Sequence, residues 1–229
     1  MAEAAQLFLS SFNRIEKWLQ QKNPTDQNLG FSQLVRILSD NPHLPVKKYE
    51  ADLLQISQLR NAIVHDQIGD DFIIAEPNEW IVNRILTIEK ELAEPETVLP
   101  RFKKPVTGFE IDLSVKELLK IVADKRYSQF PLYNKGQFKG LLTLRVLGYW
   151  FATHFEDITP DLEHIKVEDL LAVEGKKSNY RFVSRDATID FVQQLFKEHR
   201  TLEAILITEH GEPDGNLEGI IRPRDVLDL

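Results

Sequence analysis

The sequence predicts an α+β chain in two parts. A four-helix-type bundle occupies residues 1–95, and a two-copy β-α-β-β-α unit occupies residues 96–229. Three observations predict this. Apolar residues recur at helical spacing through the first part. A proline-rich stretch then interrupts the chain, and beyond it one residue pattern returns a second time.

In the first part, Leu7, Leu9, Phe12, Ile15, Trp18 and Leu19 mark one helix, which Gln21-Lys-Asn-Pro24 closes. Phe31, Leu34, Val35 and Leu38 mark a shorter one, ended by Asp40-Asn41-Pro42. A third runs from about Lys47 through Leu53, Leu54, Ile56, Leu59, Ile63 and Val64. Gly69-Asp70-Asp71 breaks it, a short apolar patch (Phe72-Ile-Ile74) leads to Pro77, and a fourth helix carries Trp80, Ile81, Ile85, Leu86, Ile88 and Leu92. Short loops between such helices predict antiparallel neighbours.

The stretch from Glu94 to Pro105 holds three prolines after Glu94, at 95, 100 and 105, which disfavours helix and predicts a semi-rigid connector. Past it, Asp112-Leu-Ser-Val aligns with Asp186-Ala-Thr-Ile at an offset of 74 residues. Phe130-Pro-Leu-Tyr-Asn134 aligns in the same register with Ala204-Ile-Leu-Ile-Thr208. Gly140 pairs with Gly219 at an offset of 79, because Glu209–Asn216, a run of turn formers, lengthens the second hairpin. Copy one spans about 104–155 and copy two about 166–229, each reading strand, helix, strand, hairpin, strand, helix. Ser114 with Glu117 predicts a capping box on the first helix, and Thr188 is its counterpart.

Each copy ends on a strand that runs into a helix start. Gly140-Leu-Leu-Thr-Leu-Arg-Val146 closes the first, and Gly219-Ile-Ile-Arg-Pro-Arg-Asp225 closes the second. Such a turn can present backbone N–H groups and a side chain to a phosphorylated ligand. The copies differ where chemistry matters: Thr143 and Val146 in one, Arg222 and Asp225 in the other.

Composition narrows the function classes. The chain has 229 residues, no Cys and a formal charge of −8. Residues 1–95 carry 9 Lys and Arg against 14 Asp and Glu, and the rest carry 19 against 22. Neither part is the broad basic surface that non-specific nucleic-acid binding wants, so RNA is not favoured beyond a local contact through few phosphates. The lack of Cys excludes disulfides and thiolate metal sites and fits a reducing cytoplasm. No apolar run approaches the roughly 20 residues of a membrane span, and no signal-peptide pattern opens the chain. A cytoplasmic protein without a membrane association is the expectation. The sequence also lacks phosphate-loop and dinucleotide glycine patterns, paired His ligands at metal spacing, and any arrangement for Ser, Cys or paired-carboxylate catalysis. No metal is expected.

Within the third helix, Leu59-Arg60-Asn61-Ala62-Ile63-Val64-His65 places Arg60 and His65 about 140° apart around the axis. Arg offers fixed positive charge with forked donors, and His an acid or base near neutral pH. With Asn61 between them, the pair resembles the Arg-X4–6-His motif of the HEPN families. These are helical bundles that often form dimers, some of them metal-independent ribonucleases and others inactive scaffolds. The resemblance covers roughly residues 1–95 and implies Arg60, Asn61 and His65 as candidate catalytic residues. The plainer reading is that Arg60 and Asn61 brace the bundle while His65 sits at a helix C-terminus.

The second part, with Ser128-Gln-Phe-Pro-Leu-Tyr133 and the two glycine-led stretches in order, resembles a tandem CBS-domain (Bateman) module over roughly residues 100–229. Such pairs are regulatory modules, many of which bind AMP, ATP, S-adenosylmethionine or a related adenosyl ligand. The resemblance implies that Asp225 accepts from ribose hydroxyls and that Thr143 contacts phosphate. It also implies that backbone near Ser128 and Pro131, or near Ala204 and Ile205 in the other copy, faces the base. A carboxylate suits a ribose diol because it accepts two hydrogen bonds at once. Val146 cannot accept, so the first site is expected to be degenerate. The second keeps Asp225 but has Arg222 in place of the hydroxyl, and Arg222 and Arg224 are candidates to pair with a polyphosphate. Under the plainer reading Asp225 caps the last helix while both arginines are solvated.

The expectation is therefore a ligand-responsive, homodimeric regulator whose CBS pair binds an adenine nucleotide, with no required cofactor. A metal-independent ribonuclease gated by that module and a ligand-free scaffold that recruits a partner stand as alternatives.

Overall fold

The computed structural model describes residues 3–25, 27–64, 75–154, 162–171 and 179–226. They divide into two compact units. One is the chain up to Thr97 together with Thr188–Gln194; the other is Val98–Ala187 with the chain from Leu195 onward.

The first unit holds α1 (Glu3–Gln21), α2 (Phe31–Ser39), a 3-10 turn (Lys47–Tyr49) leading into α3 (Glu50–Val64), and α4 (Glu79–Ala93). Phe8, Phe12, Ile15 and Leu19 repeat at four, three and four residues, which puts them on one face of α1, and all four are buried. That stripe corrects the sequence reading, because Leu7 is 42% exposed and Phe8 fully buried. The same correction applies to α4, whose buried residues are Val82, Ile85, Ile88 and Leu92 while Trp80 is 67% exposed. Leu34, Val35 and Leu38 of α2 and Leu53 and Ile56 of α3 complete this core. Burying each such side chain contributes about 1.5–3 kcal/mol.

Polar groups fix the register of these helices. The Asn78 side chain accepts from Ile81 N at 3.0 Å and so caps α4. Glu89 of α4 accepts from the Ser11 hydroxyl at 2.7 Å and from the Arg14 guanidinium, tying α4 to α1. The Arg14 bond and charge and the Ser11 bond together outweigh burial, so Glu89 sits below the usual carboxylate range. Residues 188–194 join this unit through the Thr97–Thr188 bridge and a bond from Ile189 N to Glu96 O at 3.0 Å. The His43 and Phe191 rings lie 4.4 Å apart. The patch Phe72–Ile74 lies outside the described residues.

The second unit begins with α5 (Val98–Phe102). A helix there departs from the semi-rigid, non-helical connector that the prolines predict. Pro100 is its third residue, where the missing N–H would have had no intrahelical partner. Then come β1 (Phe109–Glu110), α6 (Val115–Lys125), β2 (Gln129–Asn134), β3 (Gln137–Thr143) and α7 (Leu144–Thr153). After α8 (Val167–Leu171) follow β4 (Tyr180–Ser184), α9 (Ile189–Glu198, shared with the first unit), β5 (Ala204–Thr208), β6 (Gly219–Ile221) and α10 (Pro223–Val226). There are two three-stranded sheets among the described residues, ordered β1-β2-β3 and β4-β5-β6. In each, the first pair is parallel and the second antiparallel.

Local chemistry accounts for these elements. Ser114 and Glu117 form the capping box of α6: the Ser114 hydroxyl accepts from Glu117 N at 3.2 Å, and Glu117 Oε2 accepts from Ser114 N at 3.1 Å. Thr188 plays the corresponding part at α9, accepting from Phe191 N at 3.2 Å. Lys135 and Gly136 both have positive φ, 50° and 83°, the tight two-residue turn that joins β2 to β3. Leu141 of β3 meets Ala204, Leu206 and Ile220 in one buried cluster, and Phe138 packs edge-on against Tyr180 and Phe182. Those contacts join the two sheets. Trp150 is buried in the core of the first sheet and stacks on His154, whereas its neighbour Tyr149 is exposed. Phe155, Lys176 and Lys177 lie outside the described residues.

Candidate functional site

Gly219 opens the last strand because the chain leaves no room there for a side chain. A Cβ added to it would overlap the Phe102 carbonyl oxygen and crowd Ile207. The close approach lets the segment after α5 run beside β6, with Lys103 bridged to Gly219 and Lys104 N donating to Glu218 O at 3.1 Å. Lys104 is thereby brought close to Arg222, which follows β6.

Beneath this crossing is a cavity of about 220 Å³. Lys104 lines it from the connector, Arg126, Tyr127, Ser128 and Gln129 from the end of α6 and start of β2, and Arg222 from the turn after β6. Arg126 takes the left-handed conformation at φ 57°, which turns the chain out of α6 and into β2. Three cations therefore surround one small cavity in a chain of net charge −8. A cleft lined by one sign of charge concentrates ligands of the other.

Asp225 engages Arg222 with both carboxylate oxygens. Arg222 Nη2 donates to Oδ1 at 2.7 Å and Nε to Oδ2 at 2.9 Å, while Arg222 N donates to Oδ2 at 2.8 Å. Burial pushes the Asp225 carboxyl up, but the Arg222 bonds and charge, with Lys104 adding to them, hold it below its ordinary value. The bond to Asp225 raises Arg222 in turn. At Lys104, desolvation pushes the ammonium down; Asp225 opposes this, and Arg222 and Arg224 add to it. Asp225 thus caps its own turn, as the plainer reading has it, but Arg222 is ion-paired to it rather than solvated.

The structure brings Ser128 and Arg222, far apart in sequence, to one cavity, with Asp225 paired to Arg222. Arg224 is exposed on α10 and acts on Lys104 through its charge. Thr143, Pro131, Ala204 and Ile205 are elsewhere. Thr143 is 2% exposed and caps α7 by accepting from Val146 N at 3.4 Å, and Val146 is buried in the core. Pro131 pairs with Leu141 inside the first sheet, and Ala204 and Ile205 are fully buried in β5. Near them Glu203 accepts from Arg145 at 2.7 Å, and its carbonyl accepts from Gln129 at 2.7 Å. Asn179 is buried there, with its Nδ2 donating to Leu141 O and its Oδ1 without a hydrogen-bond partner among the described residues. The sequence reading missed Lys104 and Arg126, since only the fold carries the connector and the end of α6 to the same cavity. The Lys103-Lys104 pair before Pro105 was the one available signal.

In the helical unit, Arg60 and Asn61 line a cavity of about 290 Å³ with Phe12, Gly30 and Ser57. The Arg60 guanidinium stands 5.7 Å from the Phe12 ring centre and donates to Asn61 Oδ1 at 3.3 Å. His65 lies outside the described residues. No helix among those residues is long and apolar enough to cross a membrane, and no group of three or more His, Asp or Glu is placed there to hold a metal ion.

Solved structures to which the chain is similar include the CBS domain of a bacterial CNNM/CorC-family Mg2+ transporter in complex with ATP. Identity is 17%, the match covers 63% of this chain and 92% of that one, and the TM-score is 0.45. The CBS domains of a transcriptional regulator from Streptococcus pneumoniae match at 21% identity, covering 58% and 98%, with a TM-score of 0.42. A conserved CBS domain protein of unknown function from Thermoplasma acidophilum matches at 18%, covering 59% and 69%, with a TM-score of 0.45. No curated protein matches the chain. The C-terminal part, residues 167–229, matches the CBS domain family.

Proposed function

We propose that this chain is a ligand-responsive regulator in which the CBS-like part binds an adenine nucleotide and alters the attached helical bundle or its homodimer. The observation that carries the reading is the cationic cavity that joins Ser128 to Arg222, with the Asp225 carboxylate beside it. Phosphates suit Lys104, Arg126 and Arg222, and a ribose diol suits Asp225 once its oxygens are released. The family match over residues 167–229 supports the same reading. A nucleotide can change the dimer only by binding one of its arrangements better than the other. The role is regulatory rather than catalytic. Equilibrium titration of the full chain with AMP, ADP, ATP and S-adenosylmethionine, with Asp225→Ala alongside, tests it. Binding that Asp225→Ala weakens is the expected result; binding of none, or binding indifferent to the substitution, overturns the site.

The ribonuclease alternative keeps one specific support, the cavity at Arg60 and Asn61. Incubation with RNA in chelator, comparing the wild type with Arg60→Ala and His65→Ala, decides it. Cleavage lost in both variants favours the enzyme, and equal outcomes across the three remove it.

A further inference from the structure

The oxygens of Asp225 that a ribose would need are already taken. Arg222 holds both through its side chain and caps one through its backbone. In the upstream copy the matching position is Thr143, whose single hydroxyl accepts from Val146 N and could not saturate both oxygens of a carboxylate. Arginine does both jobs, because its planar fork binds a carboxylate or a phosphate with two parallel donors.

We propose that Arg222 is an exchangeable latch. It holds Asp225 until a polyanion in the cleft draws it away, so the site admits nucleoside polyphosphates and turns away uncharged nucleosides. This rests on the nucleotide reading above and adds the class of ligand.

A neutral nucleoside that reaches Asp225 must break the charged bonds and leave the guanidinium without an anion, in a partly enclosed place next to two other cations. Leaving a charged donor unmet costs more than an ordinary hydrogen bond returns. A polyphosphate changes that balance, since the guanidinium exchanges one anion for another while Lys104 and Arg126 gain a counter-charge. The size of the cavity points the same way. About 220 Å³ with Arg222 in place is below the roughly 300 Å³ at which ordinary ligand pockets begin. Arg222 is 31% exposed, so its side chain has solvent to swing into. S-adenosylmethionine carries a sulfonium cation and meets the same positive field.

The test is calorimetric titration of the full chain with adenosine, AMP, ATP and inorganic tripolyphosphate, for wild type, Arg222→Gln and Arg222→Lys, with melting curves to check folding. In the wild type, affinity should rise from adenosine to AMP to ATP and fall steeply with salt. Arg222→Gln should tighten adenosine and weaken ATP, collapsing their ratio by about tenfold to a hundredfold, the worth of one charged hydrogen bond. Arg222→Lys should keep part of the ratio, because it keeps the charge but loses the fork. Adenosine and ATP changing by the same factor would overturn the latch and leave the nucleotide reading intact. Tripolyphosphate binding that needs Arg222, with no binding of any nucleoside, would keep the latch and overturn the nucleotide reading. No binding by any probe overturns both. Should Arg222→Gln not fold, the wild-type series decides, and affinity independent of phosphate number refutes the proposal.

Discussion

Two glycines of the C-terminal unit should respond to the same substitution with opposite signs. Gly219→Ala places a methyl against the Phe102 carbonyl and the end of Ile207, in a strand whose three residues are all buried. Forced overpacking of this kind costs about 1–3 kcal/mol. Where the connector shifts as well, the bond from Lys104 N to Glu218 O is lost, a further ~0.5–1.5 kcal/mol. The expected destabilisation is therefore roughly 2–4 kcal/mol, a large share of the 5–15 kcal/mol that holds a typical domain. Gly148 sits within α7, where an added Cβ meets nothing within 4 Å. Gly148→Ala should therefore stabilise by about 0.5–1 kcal/mol, from helix propensity and a less flexible unfolded chain. Denaturant unfolding measures both, and hydrogen exchange localises the loss for Gly219→Ala to the connector and β6. Equal signs for the two variants, or a Gly219→Ala within 0.5 kcal/mol of wild type, would refute the packing argument.

Further outcomes follow from the electrostatics and caps. The folded Asp225 carboxyl lies below its unfolded value of about 3.9, so it stabilises above that pH and the contribution fades as pH falls through the folded value. Asp225→Asn should flatten the acid limb of a stability-against-pH curve; an unchanged limb would show the ion pair carries no stability. Lys104 sits below its ordinary value, and a bound polyanion should restore it, so ATP binding should take up protons and weaken as pH rises toward the Lys range. Titration in two buffers of different ionisation enthalpy reads that uptake, and its absence in Lys104→Met confirms the source. Ser114→Ala removes the capping box of α6 and should cost about 1 kcal/mol in denaturant unfolding.

Much of the fold was legible because its signals are local. The capping box at Ser114, its counterpart at Thr188, the stop before Pro24 and the glycine-led strands all act within a few residues. Other features depend on tertiary context that periodicity does not carry. Leu7 and Phe8 are adjacent and both apolar, and only the helices that α1 packs against decide which one is buried. Pro100 reads as a helix breaker, yet a five-residue helix accepts it because the first turn needs no N–H. At the site, the repeat comparison singled out Arg222 and Asp225, but their mutual ion pair required coordinates. Lys104 entered only through the crossing of the connector over β6, which the absence of a side chain at Gly219 permits, and Arg126 only through the end of α6 reaching the same cavity.

The central claim is that a nucleotide binds where Lys104, Ser128 and Arg222 converge. A crystal structure of the full chain grown with ATP tests it most directly. The expected result is phosphate density against Lys104 and Arg222, the Arg222 fork turned off Asp225, and the ribose on the Asp225 carboxylate. An ATP molecule bound elsewhere, or a cleft with the Arg222–Asp225 pair intact at saturating ATP, would contradict it.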